Sequence, residues 1–241
     1  MKRTGPRLWR ALLKRETGRS LAAAVFIVAA AAVVFANRSV HDAAAAGPFI
    51  RLRFDMAVLL LATVVLVLRV ATRAEADRTA AWLEPVLVVG GSPARYGLAL
   101  TASAWCSSLV VYTTAASAFA FAMAARAGSV ELLRTLPRTI GTGALLLGAF
   151  AVHAGCVGML LRRSVPAISM VAAVVIVPYA LMTRTLLRGG PVDWWLYALT
   201  HVVPPVALPA GAADVLPLLG QVAAGAGLLA GISHRFAGRR P

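Results

Sequence analysis

The side chains that could carry out chemistry are few and far apart in this sequence. His153 and Cys156 lie three residues apart, which places them on one face of a helix. Two ligands are too few for a zinc site, so His153 is left with two roles, a proton relay or a hydrogen bond between helices. A phosphate-binding loop of the form Gly-x4-Gly-Lys-Ser/Thr does not occur. The sequence therefore predicts no catalytic residue, metal site or cofactor in this chain.

The acidic residues point to the same conclusion. All nine lie outside the long apolar stretches described below. Carriers driven by protons or ions generally hold ionisable groups within the membrane, because these groups bind the coupling ion. The chain is thus not predicted to be an enzyme, and we expect its energy source to be another protein.

Long apolar stretches must position these few side chains. The chain has 241 residues, of which 60% are hydrophobic and only 14% charged, whereas soluble domains average about 25% charged. A helix of about 20 apolar residues crosses the hydrocarbon of a bilayer. The predicted spans cover residues 21–36, 56–72, 97–125, 139–161, 164–183 and 215–232. Uninterrupted apolar runs lack the alternation of barrel strands, so the prediction is an all-α, polytopic membrane protein with six transmembrane helices.

The basic residues predict the orientation of these helices. With the amino terminus in the cytoplasm, sixteen Lys and Arg residues fall on the cytoplasmic side and eight on the other, so both termini are predicted to be cytoplasmic. This bias explains much of the net charge of +15 without nucleic acid as a partner. A cleavable signal peptide ending near residue 36 is the alternative for the first span. The basic region of 20 residues before this span favours a retained helix.

Three segments outside the spans have distinct patterns. Residues 1–20 place Leu8 and Leu12 on one face and basic residues on the other, which predicts an interfacial amphipathic helix; a basic anchor without defined conformation is the alternative. Residues 184–214 hold Trp194, Trp195 and several prolines, which is typical of short helices at the outer headgroup layer.

The cytoplasmic segment 73–96 is longer than a simple connection requires. It mixes charges with apolar residues in the pattern of an amphipathic helix, which a break at Gly90-Gly91-Ser92-Pro93 ends, and together these features predict a docking surface for a partner. The alternative is a solvated loop with a short helix of its own. The candidate docking residues are Glu75, Asp77, Arg78, Trp82, Glu84, Gly90, Gly91 and Arg95.

Two further patterns lie within the spans. Hydroxyl groups of the third span, with His153, are candidates for lining a pathway: Ser103, Ser107 and Thr114. With so little charge in the bundle, we expect an amphipathic or hydrophobic substrate. Small residues recur as Ala144, Gly148, Ala151 and Gly155 and as Gly227-x3-Gly231, and such stripes let helices approach closely.

The assembled pattern resembles the membrane subunit of type-2 ABC exporters. Those permeases have six helices, both termini inside, an interfacial helix before the first span and short outer helices before the last. Glu75-x-Asp-Arg and the later Gly-Gly-Ser-Pro-Ala-Arg-Tyr96 look like the coupling segment of that family. The run Met-Leu-Leu-Arg-Arg-Ser-Val-Pro-Ala167 is similar to its connection between spans four and five.

The resemblance implies a permease of the bacterial cytoplasmic membrane that moves its substrate outward. It implies two partners beside the bilayer: a cytoplasmic ATP-binding subunit that holds ATP and Mg and docks on 73–95, and a second permease, either a copy of this chain or a homologue. Two alternatives stay open. One is a membrane scaffold or accessory subunit that transports nothing, and the other is a secondary carrier that uses His153.

Overall fold

Five helices make up nearly all of the chain that the computed structural model describes. The described residues are 19–39, 43–79, 92–128, 130–161, 163, 165, 166, 169 and 212–238. The helices are α1 (Arg19–Ser39), α2 (Ala43–Thr79), α3 (Pro93–Ala127), α4 (Val130–Leu161) and α5 (Ala212–Gly238). The all-helical prediction is confirmed over these residues.

Helix α3 begins and ends at signals that are visible in the sequence. Ser92 is the residue before the helix, and its Oγ accepts a hydrogen bond from the backbone N of Arg95 at 3.2 Å. Pro93 occupies the first helical position, where its missing N–H costs nothing. Gly128 ends the helix with a φ of 64°, a left-handed conformation that favours glycine. Only residues 128 and 129 separate α3 from α4, so these two helices form a tight hairpin.

Three helical stretches are long and apolar enough to cross a membrane, as expected of a membrane protein. They are Pro93–Arg126, Val130–Leu161 and Val215–Arg235, and Leu21–Asn37 is a shorter apolar helix. These stretches contain the predicted spans 97–125, 139–161, 215–232 and 21–36. The predicted span 56–72 lies inside α2, which continues beyond it in both directions. Most of the predicted span 164–183, of the interfacial helix in 1–20 and of the outer segment 184–214 lies outside the described residues, so six spans remain a prediction.

Helices α3 and α4 pack antiparallel along their length. Near the start of α3, a Cβ atom added to Gly155 of α4 would lie 2.5 Å from Thr101 Oγ1. Near the middle of the pair, a Cβ atom added to Gly143 would overlap the ring of Tyr112. Glycine is therefore required at both positions, because the helices approach each other closely there.

Helices α4 and α5 pack parallel to each other. A Cβ atom added to Gly148 would lie 3.9 Å from Val222 Cγ2, and one added to Gly155 would lie 3.2 Å from Leu229 Cδ1. The two residues of each pair are the same number of positions apart in the sequence, so the register between α4 and α5 is constant. The chain consequently leaves α4 at one end of the bundle and enters α5 at the other, as one additional crossing between them would require.

The predicted small-residue stripe of α4 is confirmed as a packing surface by these contacts, and Ala151 between the two glycines is 2% exposed. The stripe predicted on α5 has no such role within the described structure, because a Cβ atom added to Gly227 or Gly231 would meet no described atom within 4 Å.

The core lies where α2, α3 and α4 meet. Leu59, Leu66, Tyr112 and Leu146 are fully buried there, together with Phe150. Helix α1 lies against α3, and the rings of its Phe35 and of Phe119 are 6.1 Å apart. Other large apolar side chains point outward: Phe26 is 76% exposed, Leu228 64% and Phe121 62%. Such outward-facing apolar side chains suit a bundle whose surroundings are lipid.

Candidate functional site

A buried hydrogen bond joins the carboxyl end of α2 to the first turn of α3. Tyr96 Oη donates to Asp77 Oδ2 at 2.8 Å, across 19 residues of sequence. Each of the two residues is only 1% exposed. A buried carboxylate must be hydrogen-bonded to be tolerated, and a hydrogen bond to a charged group contributes about 1.5–3 kcal/mol. The two helix ends that flank residues 80–91 are thus fixed to each other.

Apolar contacts around Tyr96 connect this hydrogen-bonded pair to the other helices. Tyr96 belongs to a buried cluster with Ala74 of α2, Leu100 of α3, Met159 of α4 and Leu229 of α5. All four helices α2–α5 therefore meet at this end of the bundle, which we call the Asp77 end. The opposite end, where α3 turns into α4, we call the Gly128 end.

Ser233 secures α5 at the Asp77 end. Its Oγ donates to the backbone O of Leu229 at 2.6 Å and lies 3.2 Å from Sδ of Met159. A Cβ atom added to Gly97 would overlap this Oγ atom, so the start of α3 touches α5 directly. The Asp77 end is consequently a tightly packed junction of three helices around α3.

The predicted docking residues that the structure describes do not form one exposed surface. Asp77 is inside the junction, and its bond to Tyr96 was not predicted. Arg95 is exposed on the first turn of α3, and Glu75 is half-buried on α2. Arg78 belongs to the last turn of α2, which continues beyond the predicted span 56–72 to Thr79. The remaining predicted docking residues lie outside the described part of the chain: Trp82, Glu84, Gly90 and Gly91.

The candidate pathway residues bond to their own helix instead of gathering around one cavity. Ser103 and Ser107 are buried, and their hydroxyls donate to the backbone O of Leu100 at 2.8 Å and of Ala104 at 2.9 Å. Such bonds to the preceding turn satisfy a hydroxyl within the membrane. The hydroxyl of Thr114 likewise donates to the backbone O of Val110 at 2.8 Å.

His153 and Cys156 do not form a shared site. His153 Nδ1 lies 2.8 Å from the backbone O of Ala149, one turn earlier on the same helix. Cys156 Sγ instead lies 3.7 Å from the backbone O of Gly225 on α5. Among the described residues, no group of three His, Cys, Asp or Glu side chains is placed to hold a metal ion.

An apolar cleft of about 210 Å³ lies between α3, α4 and α5, and it was not predicted. Thr101 and Trp105, one turn apart on α3, form one wall, and Gly148 and Val222 face them. Trp105 Nε1 donates to the backbone O of Ala144 at 2.9 Å, which fixes the indole. The signal in the sequence was the four-residue spacing of Thr101 and Trp105 opposite the small-residue stripe of α4.

Comparison with known proteins identifies no family. No family model matches the chain, and no curated protein matches it. What the fold defines is a helical membrane protein with a buried polar joint at one end and an apolar cleft among three helices.

Proposed function

We propose that the chain is the permease subunit of an ATP-driven exporter of the type-2 ABC class, powered by a separate ATP-binding subunit on the cytoplasmic face of a bacterial inner membrane. The observation that carries the proposal is the buried bond between Asp77 and Tyr96. It lies at the base of residues 80–91, the centre of the predicted docking segment.

The hydrogen bond between Asp77 and Tyr96 couples residues 80–91 to the whole bundle. Because the ends of α2 and α3 are fixed to each other, a partner that pulls on 80–91 acts on both helices at once. The cluster of Tyr96 with Met159 and Leu229 passes the same displacement to α4 and α5. Movement that is spread over four helices can change access across the bundle, whereas movement of one loop cannot.

The distribution of charge supports a partner as the energy source. Among the acidic side chains that the structure describes, Glu75 and Asp77 lie at one end of the bundle and Glu131 lies at the other. His153 is bonded to its own helix. Ion-driven carriers place their ionisable groups where ions cross, so this arrangement favours ATP hydrolysis in a separate subunit. The apolar cleft supports a hydrophobic or amphipathic cargo.

Purification of the tagged full chain from its native membranes tests the proposal. We expect a partner in a stoichiometric amount, with a phosphate-binding loop in its own sequence and ATPase activity. Combining Trp82→Ala with Glu84→Lys should release this partner. The matched control Glu131→Lys, a charge reversal at the Gly128 end, should retain it.

Other outcomes would refute the proposal. Equal loss of the partner in the Glu131→Lys control would remove the docking site from 80–91. A stable partner without ATPase activity would favour the scaffold or accessory subunit. Transport that needs no ATP and disappears in His153→Ala would favour the secondary carrier.

A further inference from the structure

Three exposed arginine side chains lie at the Asp77 end of the bundle. Arg95 is in the first turn of α3, Arg163 follows the end of α4, and Arg235 is in the last turn of α5. The close contact between Gly97 and Ser233 sets the register of α3 against α5. Arg95 lies two residues before this contact. Arg235 lies two residues after it on an antiparallel helix, so both arginines are at the same height. We call the three side chains the arginine belt.

The length of α5 places this height at the headgroups of a bilayer. The apolar stretch Val215–Arg235 has 21 residues and is about 31 Å long, which matches a hydrocarbon layer about 30 Å thick. Arg235 is the last residue of this stretch, so it lies at the edge of the hydrocarbon. Arg95 is at the same height on α3. The phosphate groups of lipids lie in the layer directly outside this edge.

The belt has no acidic residue beside it on its own helices. Helix α3 contains none, and Glu131 of α4 and Asp214 of α5 lie toward the Gly128 end. The described acidic residues of the Asp77 end are on α2: Glu75 is half-buried, and Asp77 is buried against Tyr96. The exposed surface of α3, α4 and α5 is therefore positively charged here. Guanidinium groups pair well with phosphate, which makes an anionic partner complementary to this surface.

Exposed leucines next to the belt favour a lipid over a soluble acidic protein. They lie on the bundle side of the arginines: Leu98 on α3, Leu160 on α4 and Leu228 on α5, which are 39%, 55% and 64% exposed. Leu98 and Leu228 are three and seven residues from the arginine of their own helix, a spacing that places each pair on one face. The surface is thus apolar first and cationic at its edge, in the same order as the hydrocarbon and phosphate of a phospholipid.

We propose that the arginine belt binds the phosphate of an anionic phospholipid, whose acyl chains lie along the exposed leucines. An anionic lipid is favoured over a zwitterionic one, because the latter carries an ammonium group that the arginines repel. Each cationic side chain near an anionic membrane surface adds to such binding. The inference concerns a lipid on this chain alone, so it stands or falls separately from the ATP-driven function.

Native mass spectrometry of the full chain, released from a neutral detergent, tests this site. The probes are phosphatidylglycerol and phosphatidylcholine, and the measured quantity is the apparent dissociation constant of the first bound lipid. We expect phosphatidylglycerol to bind more tightly. Arg95→Gln combined with Arg235→Gln should weaken its binding about fivefold to twentyfold and leave phosphatidylcholine unchanged. The corresponding double change to Lys keeps both charges and should retain most of the affinity.

The matched control removes the same charge elsewhere. Arg126→Gln combined with Arg134→Gln acts on the hairpin of α3 and α4. Arg126 lies about 46 Å further along α3 than Arg95, which is about 16 Å beyond a hydrocarbon layer that begins at Arg95. This variant should bind phosphatidylglycerol like the wild-type chain.

Three results would overturn the proposal. Equal weakening in the belt variant and in the control would make the effect one of net charge. Equal weakening in the Lys and Gln variants would show that the charge of the belt is not what binds. Displacement of phosphatidylglycerol by soluble glycerol phosphate would show a site for a free phosphate instead of a lipid.

Discussion

The two ends of the bundle are held together by different means. At the Gly128 end, α3 and α4 are joined by a turn of two residues. Halfway along α3, one polar contact between these helices is a long one, 3.4 Å from Tyr112 Oη to the backbone O of Thr139. At the Asp77 end, α2 and α3 are separated by residues 80–91, and the helices are joined by side chains: the bond from Tyr96 to Asp77, and Ser233 against Gly97.

This difference indicates where the bundle can change shape. A two-residue turn keeps two helices together in every conformation. A junction of packed side chains can have two arrangements, between which α2 and α3 move together because the bond from Tyr96 to Asp77 holds them to each other. We therefore expect a partner at the Asp77 end to act on a joint, while the Gly128 end serves as a fixed hinge.

The largest effect is expected for Tyr96→Phe, which leaves the buried carboxylate of Asp77 without its phenol donor. The free energy of unfolding should fall by about 1.5–3 kcal/mol, measured by denaturant unfolding of the purified chain. Tyr112→Phe is the matched change halfway along the same helix, and its long bond to a neutral carbonyl predicts a loss of about 0.5 kcal/mol. Equal losses in the two variants would mean that the bond at the Asp77 end is no stronger than this long contact.

Gly97→Ala should lower the free energy of unfolding by about 1–2 kcal/mol, because the added methyl group overlaps Ser233 Oγ and overpacks the junction. Ser233→Ala in the same chain removes the overlapping atom and should restore most of the loss. Gly231→Ala, which meets no described atom, is the control on α5. Failure of the double variant to recover would mean that Ser233 is not the contact that limits this position.

Gly128→Ala tests the hinge. The φ of 64° at this residue costs an L side chain about 1 kcal/mol, while the added methyl group has no described atom within 4 Å. Thermal unfolding should show this modest loss, and cross-linking of introduced cysteines should show α3 and α4 still paired at this end. Separation of the helices in this variant would show that the turn is not what holds them.

The smallest effect is expected for Gly141→Ala, an exposed position on α4 with no described neighbour within 4 Å. Replacing a helical glycine by alanine should raise the free energy of unfolding by about 0.5–1 kcal/mol. Gly143→Ala, two positions further along α4, should instead lower the free energy of unfolding, because the added methyl group would overlap the ring of Tyr112. Stabilisation by both variants would refute the close approach of α3 and α4 at Gly143 and Tyr112.

Local signals in the sequence predicted the helices better than they predicted the hydrogen bond between Asp77 and Tyr96. The break predicted at residues 90–93 agrees with the start of α3 at Pro93, because capping depends on adjacent residues. The segment after Arg73 was predicted to contain a helix separate from the span 56–72, but no glycine or proline interrupts the chain there before Pro85, and α2 continues without a break to Thr79. The bond between Asp77 and Tyr96 depends on how two helices pack, which spacing along one helix does not reveal.

The candidate cleft was missed for a related reason. Ser103, Ser107 and Thr114 were predicted from polarity alone, and each hydroxyl is satisfied by its own helix. The cleft depends on how α4 and α5 pack against α3, which the polarity of single residues does not reveal.

Site-specific photo-cross-linking in living cells tests the central claim most directly. A photoreactive residue at position 84 would probe the docking segment, and one at position 131 would probe the opposite end. The account predicts an adduct at position 84 with a protein that carries a phosphate-binding loop, in a yield that changes with ATP, and no such adduct at position 131. An adduct with this protein at position 131, or its absence at position 84, would contradict a joint at the Asp77 end that is driven by an ATP-binding subunit.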